Sequence, residues 1–174
     1  MEVDVYERRW MILSGATLAV LFLAVVVAAF GLGISLPGVA GQVRPDQLDR
    51  TPPFDRPGVR QVAPGQYEAY LIAHIWAYSP NEIRVPVGST VRFAITSRDV
   101  IHGFRIQGTN VNAMVIPGQV SEVTHTFRQP GTYVFLCHEY CGINHHLMYG
   151  RVIVEGPGQA RASQEPAPKV VNSL

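Results

Sequence analysis

Twelve consecutive residues, Cys137-His138-Glu139-Tyr140-Cys141-Gly142-Ile143-Asn144-His145-His146-Leu147-Met148, hold both cysteines of the chain, three of its six histidines and one of its four methionines. Thiolate, thioether and imidazole together select copper over magnesium or calcium. A mononuclear blue-copper site takes two His, one Cys and a long axial Met, so this loop has one thiolate too many for it. Two thiolates in one short loop can instead bridge two copper ions, each completed by one imidazole and one weak axial ligand. That arrangement needs a second histidine from elsewhere. His102, in Ser97-Arg98-Asp99-Val100-Ile101-His102-Gly103-Phe104, is the natural candidate. Two other arrangements fit the cysteines. One is a Cys137 to Cys141 disulfide, whose Cα limit of about 7 Å a tight loop satisfies. The other is a structural zinc site of two Cys and two His. Neither has a use for Met148. His138 and His146 adjoin ligand candidates and are expected to point elsewhere. His125 alternates with Val123 and Phe127 and reads as a surface or edge residue, and Met114 reads as packing. The loop pairs no nucleophile with a base and no carboxylate with another, so bond chemistry on this chain is not expected.

Such a loop needs a rigid scaffold, and the flanking sequence supplies short β-rich runs at 69–78, 82–87, 90–96, 103–107, 111–116, 122–127, 132–137 and 149–155. Turn chemistry separates them, as in Ser79-Pro80-Asn81, Pro117-Gly118 and Gln129-Pro130-Gly131. This spacing predicts an all-β, antiparallel sandwich at 67–156. Only 16% of the chain is charged, against roughly 25% in a soluble domain. The deficit is concentrated at the N-terminus, where no charged residue occurs from Trp10 to Val43. About 20 apolar residues span a hydrocarbon core of roughly 30 Å, which predicts a transmembrane anchor at 10–36. A cleaved signal would have a shorter apolar run and fewer acids than Glu2, Asp4 and Glu7 beside Arg8 and Arg9. The two arginines favour a cytoplasmic N-terminus at 1–9, which puts the sandwich on the other side of the membrane. The Pro- and Gly-rich stretch 37–66 reads as an extended linker, and 157–174 as a disordered tail. With 14 Lys+Arg against 13 Asp+Glu, the chain lacks the basic footprint of a nucleic-acid binder. It also has no Cys-x-x-Cys-His for covalent haem.

Cys-x-Glu-x-Cys-Gly-x-x-His-x-x-Met, from Cys137 to Met148, resembles the binuclear CuA loop of cytochrome c oxidase subunit II. Upstream, Asp99-Val100-x-His102 and Pro117-Gly118 resemble the same family. The single predicted span is similar to the short subunit II of the B-type haem-copper oxidases, most other members having a two-helix hairpin. The resemblance implies a cupredoxin-like sandwich outside the membrane, docked on a haem-bearing subunit I. There a CuA centre accepts electrons from cytochrome c or a similar donor and passes them to haem for dioxygen reduction. It implies Cys137 and Cys141 as bridges, His102 and His145 as terminal ligands, and Met148 and the Glu139 carbonyl as axial ligands. The Glu139 carboxylate would be free for a magnesium ion at the subunit I interface. The family's Trp-rich stretch, where electrons enter, matches His74-Ile75-Trp76-Ala77-Tyr78, which lacks its first Trp. Trp76 and Tyr78 are therefore expected on the electron-accepting patch, unless they pack in the core. Other uses of the motif remain open. A CuA subunit of a nitric oxide reductase would look alike, whereas a membrane-tethered copper-delivery protein would carry Pro where Gly142 follows the second Cys.

Overall fold

The computed structural model describes residues 4–31 and 40–157, which fall into two compact units. The first is helix α1, Val5–Gly31. Asp4 begins it by accepting the Tyr6 N–H on its side chain at 2.8 Å, which satisfies one of the free amides of the first turn. None of the helix side chains is buried and it has no polar face beyond its first turns. Its 27 residues extend about 40 Å at 1.5 Å each, enough to cross a bilayer. The helix starts at Val5, where Asp4 caps it, and includes residues 10–31 of the expected anchor. The expected end of the anchor, 32–36, and the tail from 158 lie outside the described residues.

The second unit is a two-sheet sandwich. Strands β1 (Gly58–Ala63), β2 (Gln66–His74), β3 (Ala77–Ser79), β4 (Glu82–Pro86) and β5 (Thr90–Ser97) come first. They are followed by β6 (His102–Ile106), β7 (Asn112–Val115), β8 (Ser121–Thr126), β9 (Gly131–Leu136) and β10 (Tyr149–Glu155). One sheet runs β1-β2-β5-β8 with β3 paired to β2, and the other runs β4-β10-β9-β6-β7. Period-two alternation sets the faces: Ile83 and Val85 of β4, and Val152 and Val154 of β10, point into the interior. Phe93, Phe104, Phe127 and Phe135 fill the space between the sheets with ring centroids 5.1–6.3 Å apart where they touch. The fold is the expected all-β, cupredoxin-like sandwich, with one difference. Two of its pairs, β2 with β5 and β4 with β10, are parallel. Parallel partners are joined through distant connections and leave no hairpin signature in the sequence.

The expected run 69–78 is two strands. β2 turns back at Ile75-Trp76 and β3 pairs antiparallel with it, while Asp99 accepts the Ile75 N–H at 2.7 Å. The expected linker also differs. Within 40–66, a 3-10 helix at Pro45–Arg50 and strand β1 pack against the sheet. Val43, Leu48 and Phe54 bury against Tyr70, Ile72, Ala94 and Val120, so the outer face of β2 and β5 is covered. With both faces covered, these strands read as continuous apolar runs, 69–73 and 93–95. The strap itself contributes too few apolar residues, too irregularly spaced, to show a period.

Gly150 of β10 faces Phe135 of β9. A Cβ there would lie 2.3 Å from the Phe135 ring and 2.4 Å from the Asn81 carbonyl. Gly150→Ala is therefore expected to destabilise the domain by about 1–3 kcal/mol through overpacking. Urea melts followed by circular dichroism check this, and a midpoint equal to the parent's would contradict the contact.

Candidate metal centre

The ladder between β9 and β10 extends one step beyond the strands, through a Cys137 N–H to Met148 carbonyl bond of 3.1 Å. This closes the neck of the loop 138–147. Inside it, His145 N–H bonds the Gly142 carbonyl and Met148 N–H bonds the His145 carbonyl, forming the 3-10 turn His145–Leu147. Gly142, at φ +119°, takes a conformation that a side chain would oppose. A Cβ there would also meet the Trp76 indole at 3.0 Å. The indole Nε1–H donates to the Cys141 carbonyl at 3.1 Å, fastening the β2–β3 turn to the loop.

The neck turns both cysteines inward, where their free thiols lie 3.8 Å apart. The donor atoms of His102, Cys137 and Cys141 lie within 4.8 Å of one another. His102 Nδ1 is 3.9 Å from Cys137 Sγ, His145 Nδ1 is 3.5 Å from Cys141 Sγ, and Met148 Sδ is 3.7 Å from Cys141 Sγ. The Glu139 carbonyl lies 3.1 Å from Cys137 Sγ. All six predicted ligand residues are thus brought together, with one imidazole at each thiol. His102, Cys137, Cys141 and Met148 are buried and His145 is partly exposed, whereas His138 and His146 are exposed. Soft sulfur donors beside imidazole suit copper, and the donor set fits it. The thiols are not joined as a disulfide.

Sequence reasoning assigned no role to Asp99. Its Oδ1 lies 2.8 Å from His102 Nε2. A carboxylate on Nε2 keeps the proton on that nitrogen and leaves Nδ1 to face the sulfur. The aspartate three residues before the histidine was the available signal. The Gly103 N–H also donates to Cys137 Sγ, at 3.4 Å. Trp76 and Tyr78 separate: Trp76 is partly exposed beside the loop, whereas Tyr78 is only 3% exposed. Tyr78 therefore lies in the core and not on an accepting patch, because the turn at 75–76 brings β3 back alongside β2 with Tyr78 opposite the buried Ala73. Burial, followed by the charge of Cys137, raises its phenol and keeps it protonated.

These surroundings divide the two thiols. Burial pushes the Cys137 thiol up, but bonds from His102 and the Gly103 N–H outweigh it and bring it down to about 6. Burial and then the negative charge on Cys137 push Cys141 up to about 12. Burial lowers His102, but Cys137 and Asp99 more than compensate and raise it. The site therefore gives up its first thiol proton readily and holds the second until a cation compensates the paired charge.

Residues 72–156 match the family described as cytochrome c oxidase subunit II, periplasmic domain. Cytochrome c oxidase subunit 2 of Thermus thermophilus is 40% identical over 157 residues, covering 86% of this chain and 92% of that protein. A chain from the cryo-EM structure of a heme-copper terminal oxidase dimer is 38% identical with a TM-score of 0.68, and the match covers 86% of this chain and 99% of that one. The periplasmic domain of subunit II of cytochrome oxidase from Bradyrhizobium japonicum has a TM-score of 0.50 at 24% identity, covering 55% and 88%, a likeness of fold.

Thiolate absorbance of the reduced, metal-free protein is expected to rise in two steps, one below and one above the ordinary thiol value of about 8.5. In His102→Ala the lower step should move up, since the imidazole that favours the thiolate is gone. Coincident steps near the ordinary value would show that the thiols do not interact.

Proposed function

The chain belongs to the cytochrome c oxidase subunit II family, and on that premise we propose that it is the electron-accepting subunit of a membrane-bound oxidase, carrying a binuclear CuA centre. In this reading it takes electrons from cytochrome c or a similar donor and delivers them to haem in subunit I. The observation that carries the reading is the pairing of two adjacent free thiols, each with its own imidazole. One tetrahedral zinc would leave Met148 and the Glu139 carbonyl without a use, whereas two coppers employ all six donors.

Cys137, Cys141, His102, His145, Met148 and the Glu139 carbonyl would hold the copper pair, the two thiolates and two imidazoles as its strong donors and the thioether and carbonyl as its weak ones. When bound, such a pair supplies a one-electron carrier whose charge change is shared by two metals. The chain's own contribution is stiffness. The closed neck, the Trp76 bond to the loop and the Asp99 bond to His102 hold the donors in one arrangement. Burial of both cysteines and of Met148 excludes water, so little solvent must reorient when the charge changes. Helix α1 would anchor the domain, with the Arg8-Arg9 side cytoplasmic. The Glu139 carboxylate would be available to a magnesium ion where the domain meets subunit I, a hard cation suiting an oxygen ligand.

The donor would dock on the apolar rim of the loop. Tyr140, Ile143 and Leu147 are exposed there, Ile143 to 81%, and Ile75 projects beside Trp76 on the adjoining turn. Trp76 reaches from that surface to the Cys141 carbonyl, which supports it as the residue through which electrons arrive.

In the copper-loaded chain, Cys141→Ser is expected to abolish the mixed-valence electron paramagnetic resonance spectrum. Met148→Leu should keep that spectrum but shift the potential, and His146→Ala should change neither. A His102→Ala chain that still holds two coppers with an unaltered spectrum would overturn the ligand set. Separately, oxidation of reduced cytochrome c by the intact complex should depend weakly on ionic strength, because an apolar rim steers little. A steep fall in the second-order rate with salt would point to a charged docking face instead.

A further inference from the structure

Tyr78 has a buried hydroxyl that the proposed centre does not use. It donates to the Gly103 carbonyl, and the ring is wedged between Phe104 and Phe135, with centroids 5.8 and 5.2 Å away and both contacts edge-on. On its other side Gly103 offers its N–H to Cys137 Sγ at 3.4 Å. The residue between these two bonds is a glycine for a steric reason: a Cβ would meet the His138 ring at 2.6 Å. Glycine is also the residue whose φ and ψ are least constrained by its own atoms. Gly103 lies within β6, paired with Met114 of β7, so the ladder restrains its two peptide planes and the Tyr78 bond adds a further restraint on the backbone from the carbonyl side.

We propose that Tyr78 is a positioning residue that, by fixing the Gly103 carbonyl, aims the Gly103 N–H at the Cys137 sulfur and thereby raises the reduction potential of the metal pair. The inference rests on the copper reading for its redox consequence but not for its geometry. An N–H bond to a thiolate withdraws negative charge from sulfur and favours the electron-rich, reduced state, one of the means by which a protein sets the potential of a copper-thiolate site. Tyr78 acts through Gly103. Phe104 and Phe135 hold the ring, the ring holds the hydroxyl, and the hydroxyl holds the peptide.

Tyr78→Phe removes the one oxygen and keeps the ring. In the metal-free full chain, hydrogen exchange at the Gly103 amide is expected to accelerate about two- to tenfold, the worth of one ordinary hydrogen bond. Amides of β10 should be unchanged. In the copper-loaded chain the reduction equilibrium should move toward the oxidised form by a similar factor, with a shifted sulfur-to-copper charge-transfer band. Val91→Ala is the control: it lowers the melting temperature by opening a cavity in the core but leaves Tyr78 and the two rings that hold it, so the potential should stay at the parent value. Unchanged Gly103 exchange in Tyr78→Phe would overturn the positioning role whether or not the chain takes copper. An unchanged potential in a chain that shows the two-copper spectrum would overturn the tuning role. A parent chain that binds no copper pair would count against the function proposed above and would leave the exchange measurement to decide this one.

Discussion

Two sulfur atoms 3.8 Å apart and shielded from water are the constraint around which this domain is organised. If both thiols ionised without compensation, their repulsion would be stronger there than in water, because burial removes the solvent that would screen it. The surroundings make only one thiolate comfortable. His102 and the Gly103 N–H favour charge on Cys137, and that charge in turn opposes ionisation of Cys141. An arrangement that is unfavourable as two anions would become favourable with bound positive metal ions, which agrees with the copper reading proposed above. Asp99 extends the same logic outward: by accepting from His102 Nε2–H it favours the protonated imidazole, whose Nδ1 side faces sulfur.

The sandwich converts that local chemistry into a fixed geometry. Cys137 follows directly on β9 and Met148 immediately precedes β10, so the two ends of the loop are set by a ladder that packs on both sides. His102 opens β6, which pairs with the same β9, and the second imidazole-bearing segment therefore cannot move independently of the first. The strap at 40–57 contributes at a distance: by covering the outer face of β2 and β5 it makes that sheet a two-sided core. Arg98 and Asp49, joined by two contacts of 2.6 and 2.9 Å, tie the strap to the loop that carries Asp99. An exposed pair of this kind adds little stability by itself. Its effect is to limit where that loop can go.

The loop was legible because its chemistry is local. Two cysteines, a histidine and a methionine within twelve residues leave few alternatives, and His102 followed from the need for a second imidazole. The eight expected runs all carry strands and were legible from turn residues, which act within a few positions, although the first run holds two strands and β1 falls in the expected linker. What escaped was whatever depends on contacts between distant residues. The parallel pairs join β2 to β5 and β4 to β10, and no single turn links the partners to mark them in the sequence. The turn at Ile75-Trp76 lacks the usual Gly, Asn or Asp and is held by Asp99, 24 residues away. Tyr78 reads like its neighbour Trp76 in the sequence, and only the reversal between them sends one to the surface and the other to the core. The strap looked like a linker because three large apolar residues, Val43, Leu48 and Phe54, are too few to show a period, although they are enough to bury a face.

Trp76 and Gly142 join these two scales. The glycine lets the loop double back after Cys141, and the space left by its missing side chain admits the indole. The indole then bonds the carbonyl of the inner cysteine while its other edge remains near solvent. Around it the loop alternates in direction, with Cys137, Cys141 and Met148 turned in and Tyr140, Ile143 and Leu147 turned out. The tightness that aims the sulfur atoms inward also forces the intervening apolar side chains outward. An exposed apolar rim is therefore a geometric consequence of building the inner site from one short loop, and a partner that covers the rim necessarily comes close to the sulfur atoms. Close approach without strong charge steering would suit the electron-accepting role proposed above, in which each partner must be released after one electron.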